Sequence, residues 1–155
     1  MGWPVSVVSN CAADKLRPFR RNTHCEMPAD QGKTMQNSGG TVLIVDDAEP
    51  IQIMTRRTLE RAGYVVLLAG NGEEAIRLLR AISVDLILLD MRMPVMDGEE
   101  FLAIRAQDHL LRSIPVLVHS SESKPPVRLG EVCGHVLKPA QDDELLGSVA
   151  RALRD

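Results

Sequence analysis

Val84-Asp85-Leu86-Ile87-Leu88-Leu89-Asp90-Met91-Arg92-Met93-Pro94-Val95-Met96-Asp97-Gly98 is the stretch that decides the fold. Five of the six residues before Asp90 are apolar. A short uninterrupted run of this kind suits a strand buried on both faces, as in a parallel sheet covered by helices. The run stops at a carboxylate, which is expensive to bury unpaired. Asp90 therefore belongs at the carboxyl edge of the sheet, where open α/β sheets hold their ligands. Pro94 and the Asp97-Gly98 pair mark a loop behind it. Asp90 reads as a carboxylate held on rigid backbone and open to a ligand, or else as a cap for the strand or the next helix.

Reading outward, the same alternation recurs. Thr41 to Val45 forms a strand that ends at Asp46-Asp47. Pro50 suits the first turn of a helix, with Ile51, Met54, Thr58 and Ala62 as its inner face and Gly63 as its stop. Tyr64 to Ala69 is a second strand. Asn71 and Glu74 have the spacing of a capping box, and Ile76, Leu79 and Ile82 give that helix an inner face. After Asp90 a helix is expected from Gly98 to Leu111, with Phe101, Leu102 and Ile104 inward. Ile114 to His119 is a fourth strand ending at Ser120-Ser121, with Pro115 near its start, where a missing donor is tolerated. Gly134 to Leu137 is a short fifth strand ending at Lys138-Pro139. The last helix carries Asp142, Asp143 and Glu144 in its first turn and Arg151 and Arg154 near its end, which matches the helix dipole. Leu145, Leu146, Val149, Ala150 and Leu153 face inward. Five strands alternating with helices imply a doubly wound parallel sheet with right-handed crossovers.

Composition bounds the function. The 155 residues are 45% apolar and only 3% aromatic, with a net charge of −3, which argues against a general nucleic-acid binder. Residues 1–40 hold five basic and three acidic residues, whereas residues 41–155 hold thirteen basic and eighteen acidic. The first forty residues show no sustained period and end in a polar, Gly-rich run, so a disordered N-terminal tail is expected at 1–40 and a folded domain at 41–155. Cys11, Cys25 and Cys133 lack zinc-site spacing and are odd in number. A reducing cytoplasm is the expected location, without a membrane span or signal peptide.

The strand ends carry chemistry. Asp46 and Asp47, Asp90, Ser120 and Lys138 all fall on one edge of a parallel sheet. Three converging carboxylates invite a divalent cation, and oxygen donors with water suit Mg²⁺. A carboxylate beside such an ion can attack phosphorus and form an acyl phosphate. The transferring group then needs donors and positive charge around its oxygens. Each residue also has a plainer reading: Asp46 or Asp47 as a helix cap, Ser120 as a strand end, Lys138 as a surface charge.

Residues 41–154 resemble a response-regulator receiver domain of two-component signalling. The matching stretches are Val42 to Asp47, Asp90 to Gly98, Ile114 to Ser121, and Val136 to Pro139. The resemblance implies a flavodoxin-like five-stranded sheet of order 2-1-3-4-5. It implies Asp90 as phosphoacceptor, and Asp46, Asp47, Asp90 and the main-chain carbonyl of Arg92 as the Mg²⁺ site. It implies that Ser120 bonds the phosphoryl group and that Lys138 pairs with a phosphoryl oxygen, or with Asp90 before transfer. The Lys138-Pro139 peptide is often cis in this family.

Three features depart from the family pattern. His135 stands where an aromatic switch residue is usual. The stretch from Ser120 to Lys138 is short and carries Pro125-Pro126, so a shortened fourth helix is expected, with an altered output and dimer face. Arg92 and Glu122 flank the phosphoryl position with opposite charge and are expected to pair and to limit water access. The expected function is a stand-alone receiver that ends with its last helix. It takes a phosphoryl group from a sensor histidine kinase or phosphotransfer protein and signals to an unidentified protein effector, without direct DNA binding. It is not expected to be an enzyme beyond assisting its own phosphorylation and dephosphorylation. The alternatives are a phosphorylation-independent receiver-like scaffold and a metal-dependent phosphohydrolase.

Overall fold

A computed structural model gives the fold, and the structure describes residues 39–124 and 132–154. The expected tail at 1–40 lies outside the described residues except for Gly39 and Gly40. So does most of the segment expected to hold the shortened fourth helix.

In chain order the elements are β1 (Thr41–Val45), α1 (Glu49–Arg61), β2 (Val65–Ala69), α2 (Gly72–Ala81), β3 (Leu86–Leu89), α3 (Gly98–Gln107), a 3₁₀ turn (Leu111–Ser113), β4 (Val116–Ser120), β5 (Gly134–Leu137) and α4 (Asp142–Ala152). The strands form one sheet of order β2-β1-β3-β4-β5, and every neighbouring pair is parallel. β1 and β3 are buried at nearly every position because helices cover both faces. On one face Leu43, Val45, Ile87, Leu89, Val116 and Val118 pack with Ala75, Ile76 and Leu79 of α2 and Phe101 and Leu102 of α3. On the other, Val42, Ile44, Leu86, Leu88 and Leu117 pack with Leu59 of α1 and Leu145, Val149 and Ala152 of α4.

Local chemistry sets the helix ends. Pro50 occupies the first turn of α1. Gly63 follows that helix at φ 91°, a left-handed conformation that glycine adopts without strain. The Asn71 side chain accepts from the Glu74 amide at 2.9 Å. The Glu74 carboxylate reaches one residue further back than a capping box requires, to the Gly70 amide at 2.8 Å. Asp97 caps α3 with a complete capping box through Glu100.

Four expectations need correction. The inner face of α1 is set by the buried Thr55 and Leu59, while Met54 is 70% exposed. Ile82 ends α2 as its C-cap and is exposed. α3 stops at Gln107 rather than Leu111, because the Asp108 side chain takes the Leu110 amide at 2.9 Å and diverts the chain into the 3₁₀ turn. Ile104 is exposed and its neighbour Arg105 is buried instead. The Arg105 guanidinium donates to the carbonyls of Arg112 and Ile114, so an arginine ties α3 to the entry of β4.

Candidate functional site

Register builds the site. Val45 pairs with Leu89, so the residues that follow, Asp46 and Asp90, leave adjacent central strands side by side. Ser120 pairs with Leu137, which brings Lys138 off the next strand at the same level. Backbone bonds continue the ladder through these residues. The Asp90 amide donates to Val45 O at 2.8 Å, the Asp46 amide to Ala69 O at 3.0 Å, and the Lys138 amide to Ser120 O at 2.9 Å. The Lys138-Pro139 peptide is cis.

Asp46, Asp47 and Asp90 each offer a carboxylate oxygen, and these oxygens lie within 4.8 Å of one another. Asp46 and Asp90 are buried and Asp47 is exposed. Lys138 Nζ stands 2.5 Å from Asp46 Oδ2 and 3.0 Å from Asp90 Oδ2. The ammonium therefore bridges two carboxylates, where the resemblance implied Asp90 alone. The remaining oxygens are held by main chain: Asp46 Oδ1 accepts from the Ala48 amide at 2.9 Å, and Asp90 Oδ1 from the Met91 amide at 2.8 Å. Asp46 thus performs part of the capping role that a plainer reading would give it, while its second oxygen faces the site.

Ser120 is buried at the end of β4, and its hydroxyl accepts from the Glu122 amide at 3.3 Å. Arg92 lies two residues past Asp90 and its guanidinium pairs with the Glu122 carboxylate, as the opposite charges anticipate. The pair joins the loop after β3 to the loop after β4. Beside it opens a cleft of about 520 Å³ lined by Asp47, Met91, Arg92, Met93, Pro94, Asp97, Glu99 and Glu122. His135, at the expected switch position, is exposed on β5.

The donor set fits a small hard cation. Three carboxylates supply only oxygen, two of them pinned in place, and the site opens toward solvent at Asp47, which suits an ion that keeps several waters. If a divalent ion binds here, Asp46, Asp47 and Asp90 would hold it.

Two neighbours escaped the sequence reading. Gln52 on α1 reaches across the ends of β1 and β2 and donates to Asp46 O and Ala69 O. His119 is buried on β4, and its pKa is lowered to about 4. Burial is the main cause. The Lys138 ammonium adds to it, Asp90 partly opposes it, and His135 adds a smaller push downward. Its place in the apolar run of β4 hid it. Gln52 was hidden because the amphipathic pattern of α1 was read from its apolar residues.

Among the described residues, no helix is long and apolar enough to cross a membrane.

Comparison with known proteins follows the same outline. The sequence profile described as the response regulator receiver domain matches residues 42–150. Sporulation initiation phosphotransferase F of Bacillus subtilis is 34% identical over 118 residues, a match covering 72% of this chain and 92% of that protein. The CAI-1 autoinducer sensor kinase/phosphatase CqsS of Vibrio cholerae is 32% identical over 114 residues, but the match covers only 17% of its length. Among solved structures, the chemotaxis response regulator CheY4 of Vibrio cholerae superposes with a TM-score of 0.68 at 32% identity, covering 75% of this chain and all of that one.

Proposed function

The chain belongs to the response regulator receiver domain family, and on that premise we propose that Asp90 is its phosphoacceptor, loaded from a phosphohistidine on a sensor kinase or phosphotransfer protein. The supporting observation is the placement of Lys138 Nζ between Asp46 and Asp90, inside a cluster of three carboxylates. A carboxylate attacking phosphorus must do so against the negative charge of the phosphoryl oxygens. A buried ammonium 3.0 Å from the nucleophile offsets that charge. Bound Mg²⁺ would supply further neutralisation of the phosphoryl oxygens.

In the proposed transfer, an Asp90 oxygen forms a bond to phosphorus while the P–N bond to the donor imidazole breaks. The imidazole leaves with the electron pair and takes up a proton. Asp90 becomes an acyl phosphate. The Met91 amide steadies one of its oxygens, and Lys138 is within reach of the new phosphoryl group. Ser120, buried at the edge of the site, donates its hydroxyl proton to a phosphoryl oxygen. Hydrolysis of the acyl phosphate regenerates Asp90, so the domain assists only its own phosphorylation and dephosphorylation. Output passes through contact with a protein effector.

Intact-mass measurement of the protein with acetyl phosphate, with and without Mg²⁺, tests this reading. The expected result is a Mg²⁺-dependent adduct of one phosphate that is absent in Asp90→Asn. A folded protein that binds Mg²⁺ and forms no adduct would instead favour a receiver-like scaffold that works without phosphorylation.

A further inference from the structure

We infer that Gln52, a residue outside the acidic site, is a positioning residue for the Asp46-Asp47 metal ligands: its side-chain amide fixes the peptide that joins them. The inference rests on the Mg²⁺ reading given above.

The Asp46 residue is held at four points. Its amide donates to Ala69 O at 3.0 Å. Its Oδ1 accepts from the Ala48 amide and its Oδ2 from Lys138. Its carbonyl oxygen accepts from Gln52 Nε2 at 2.5 Å. The same Nε2 donates to Ala69 O at 2.9 Å, so one amide group spans the carboxyl ends of β1 and β2. Asp46 O belongs to the peptide plane whose other side is the Asp47 nitrogen. Fixing that carbonyl therefore fixes the direction in which Asp47 leaves the strand.

Asp47 needs such help. Asp46 and Asp90 are buried and pinned by main-chain amides and Lys138, whereas Asp47 is exposed. Its carboxylate lies within 4.8 Å of the other two although it sits in a bend between β1 and α1. Without Gln52 the Asp46 carbonyl would be left to water or unpaired, and the peptide could rotate. A carboxylate that must be recaptured from several orientations binds an ion more weakly than one already aimed. Gln52 acts through its donor group, which is committed to the two carbonyls.

The test is Mg²⁺ titration of the full-length, unphosphorylated protein by calorimetry, comparing wild type with Gln52→Leu and Gln52→Glu. Leucine is uncharged, forms helix well and removes the donor. Glutamate keeps the shape and places an acceptor against two carbonyl oxygens. Loss of groups that orient metal ligands typically weakens metal binding by about 10- to 100-fold, and a weakening of about tenfold is expected for Gln52→Leu, with a smaller loss in Gln52→Glu because its added negative charge attracts the cation. Phosphorylation by acetyl phosphate should need more Mg²⁺ yet reach a rate within about twofold of wild type at saturation. Thr58→Val is the control. It removes the bond from α1 to Asp142 of α4, so it should loosen the helix while leaving Mg²⁺ affinity unchanged. A folded Gln52→Leu variant with wild-type affinity, or an equal loss in Thr58→Val, would overturn the inference. A wild-type protein that binds no Mg²⁺ would overturn the metal reading itself and this inference with it.

Discussion

Replacing Lys138 with methionine should move stability and metal affinity in opposite directions. Lys138 Nζ contacts Asp46 and Asp90, and all three side chains are nearly buried, at 9%, 2% and 11% exposure. Removing one partner of a buried ion pair typically costs about 3–5 kcal/mol, because the remaining charge has no counterion. Both carboxylates keep a main-chain donor, from Ala48 and Met91, which places the expected loss near the lower end, at ~3 kcal/mol. For a domain of this size that is a fall in Tm of roughly 10 °C. The same substitution deletes the positive charge that competes with a cation for the carboxylates. Mg²⁺ should then bind about tenfold more tightly, equivalent to ~1.4 kcal/mol. Saturating Mg²⁺ stabilises the folded state by its binding energy, so the gap between variant and wild type should narrow by about half on going from EDTA to Mg²⁺. Urea unfolding followed by circular dichroism, in both conditions, reads this directly. A variant as stable as wild type in EDTA, or a gap that widens with Mg²⁺, would refute the bridging role of Lys138.

Other perturbations have equally definite signs. His119 has a folded pKa near 4 against an ordinary 6.5, so between those values the unfolded chain binds more protons. Stability is complete above pH 6.5 and falls as the pH drops toward 4, by about 3 kcal/mol in all from this group; His119→Leu should remove that part of the slope in urea titrations across the range. Val95 holds φ 72° and is 76% exposed, an outlier for a β-branched residue; Val95→Asn should stabilise by about 1 kcal/mol in the same assay. Arg92→Ala should speed loss of phosphate from the loaded protein by a few-fold, read by intact mass over time, while changing stability by less than about 1 kcal/mol because the Arg92 side chain is 81% exposed. An unchanged dephosphorylation rate would remove the shielding role of Arg92.

The carboxyl edge of the sheet was legible because parallel topology maps strand ends onto one line. Apolar runs that stop at Asp46, Asp90, Ser120 and Lys138 specify both the strands and what projects from them, with no side-chain detail needed. Helix faces were less legible. Periodicity ranks residues by hydropathy, and Met54 and Ile104 outrank Thr55 and Arg105 on any such scale. Yet Thr55 is buried, and Arg105 is buried because its guanidinium finds carbonyl partners on a segment several residues away. Gln52 was missed for the same reason: its value lies in two backbone acceptors, one of them on a different strand, and pattern along one helix carries no trace of that.

The placement of Ser120 links the two loops that frame the site. Its hydroxyl accepts from the Glu122 amide, and the Glu122 carboxylate holds Arg92. A phosphoryl group on Asp90 would offer acceptor oxygens to Lys138, Ser120 and Arg92 together. Lys138 can answer in place, since it already contacts Asp90. Arg92 can answer by turning from Glu122, and Ser120 by donating its hydroxyl proton while its oxygen still accepts from the Glu122 amide. Because Glu122 is joined to both, the departure of Arg92 loosens the loop that the Ser120 contact holds. Phosphorylation would therefore be read first at the loop after β4, ahead of any movement at the exposed His135. Amide chemical shifts at Glu122 should respond to loading in Arg92→Ala less than in wild type, and equal responses would separate the two events.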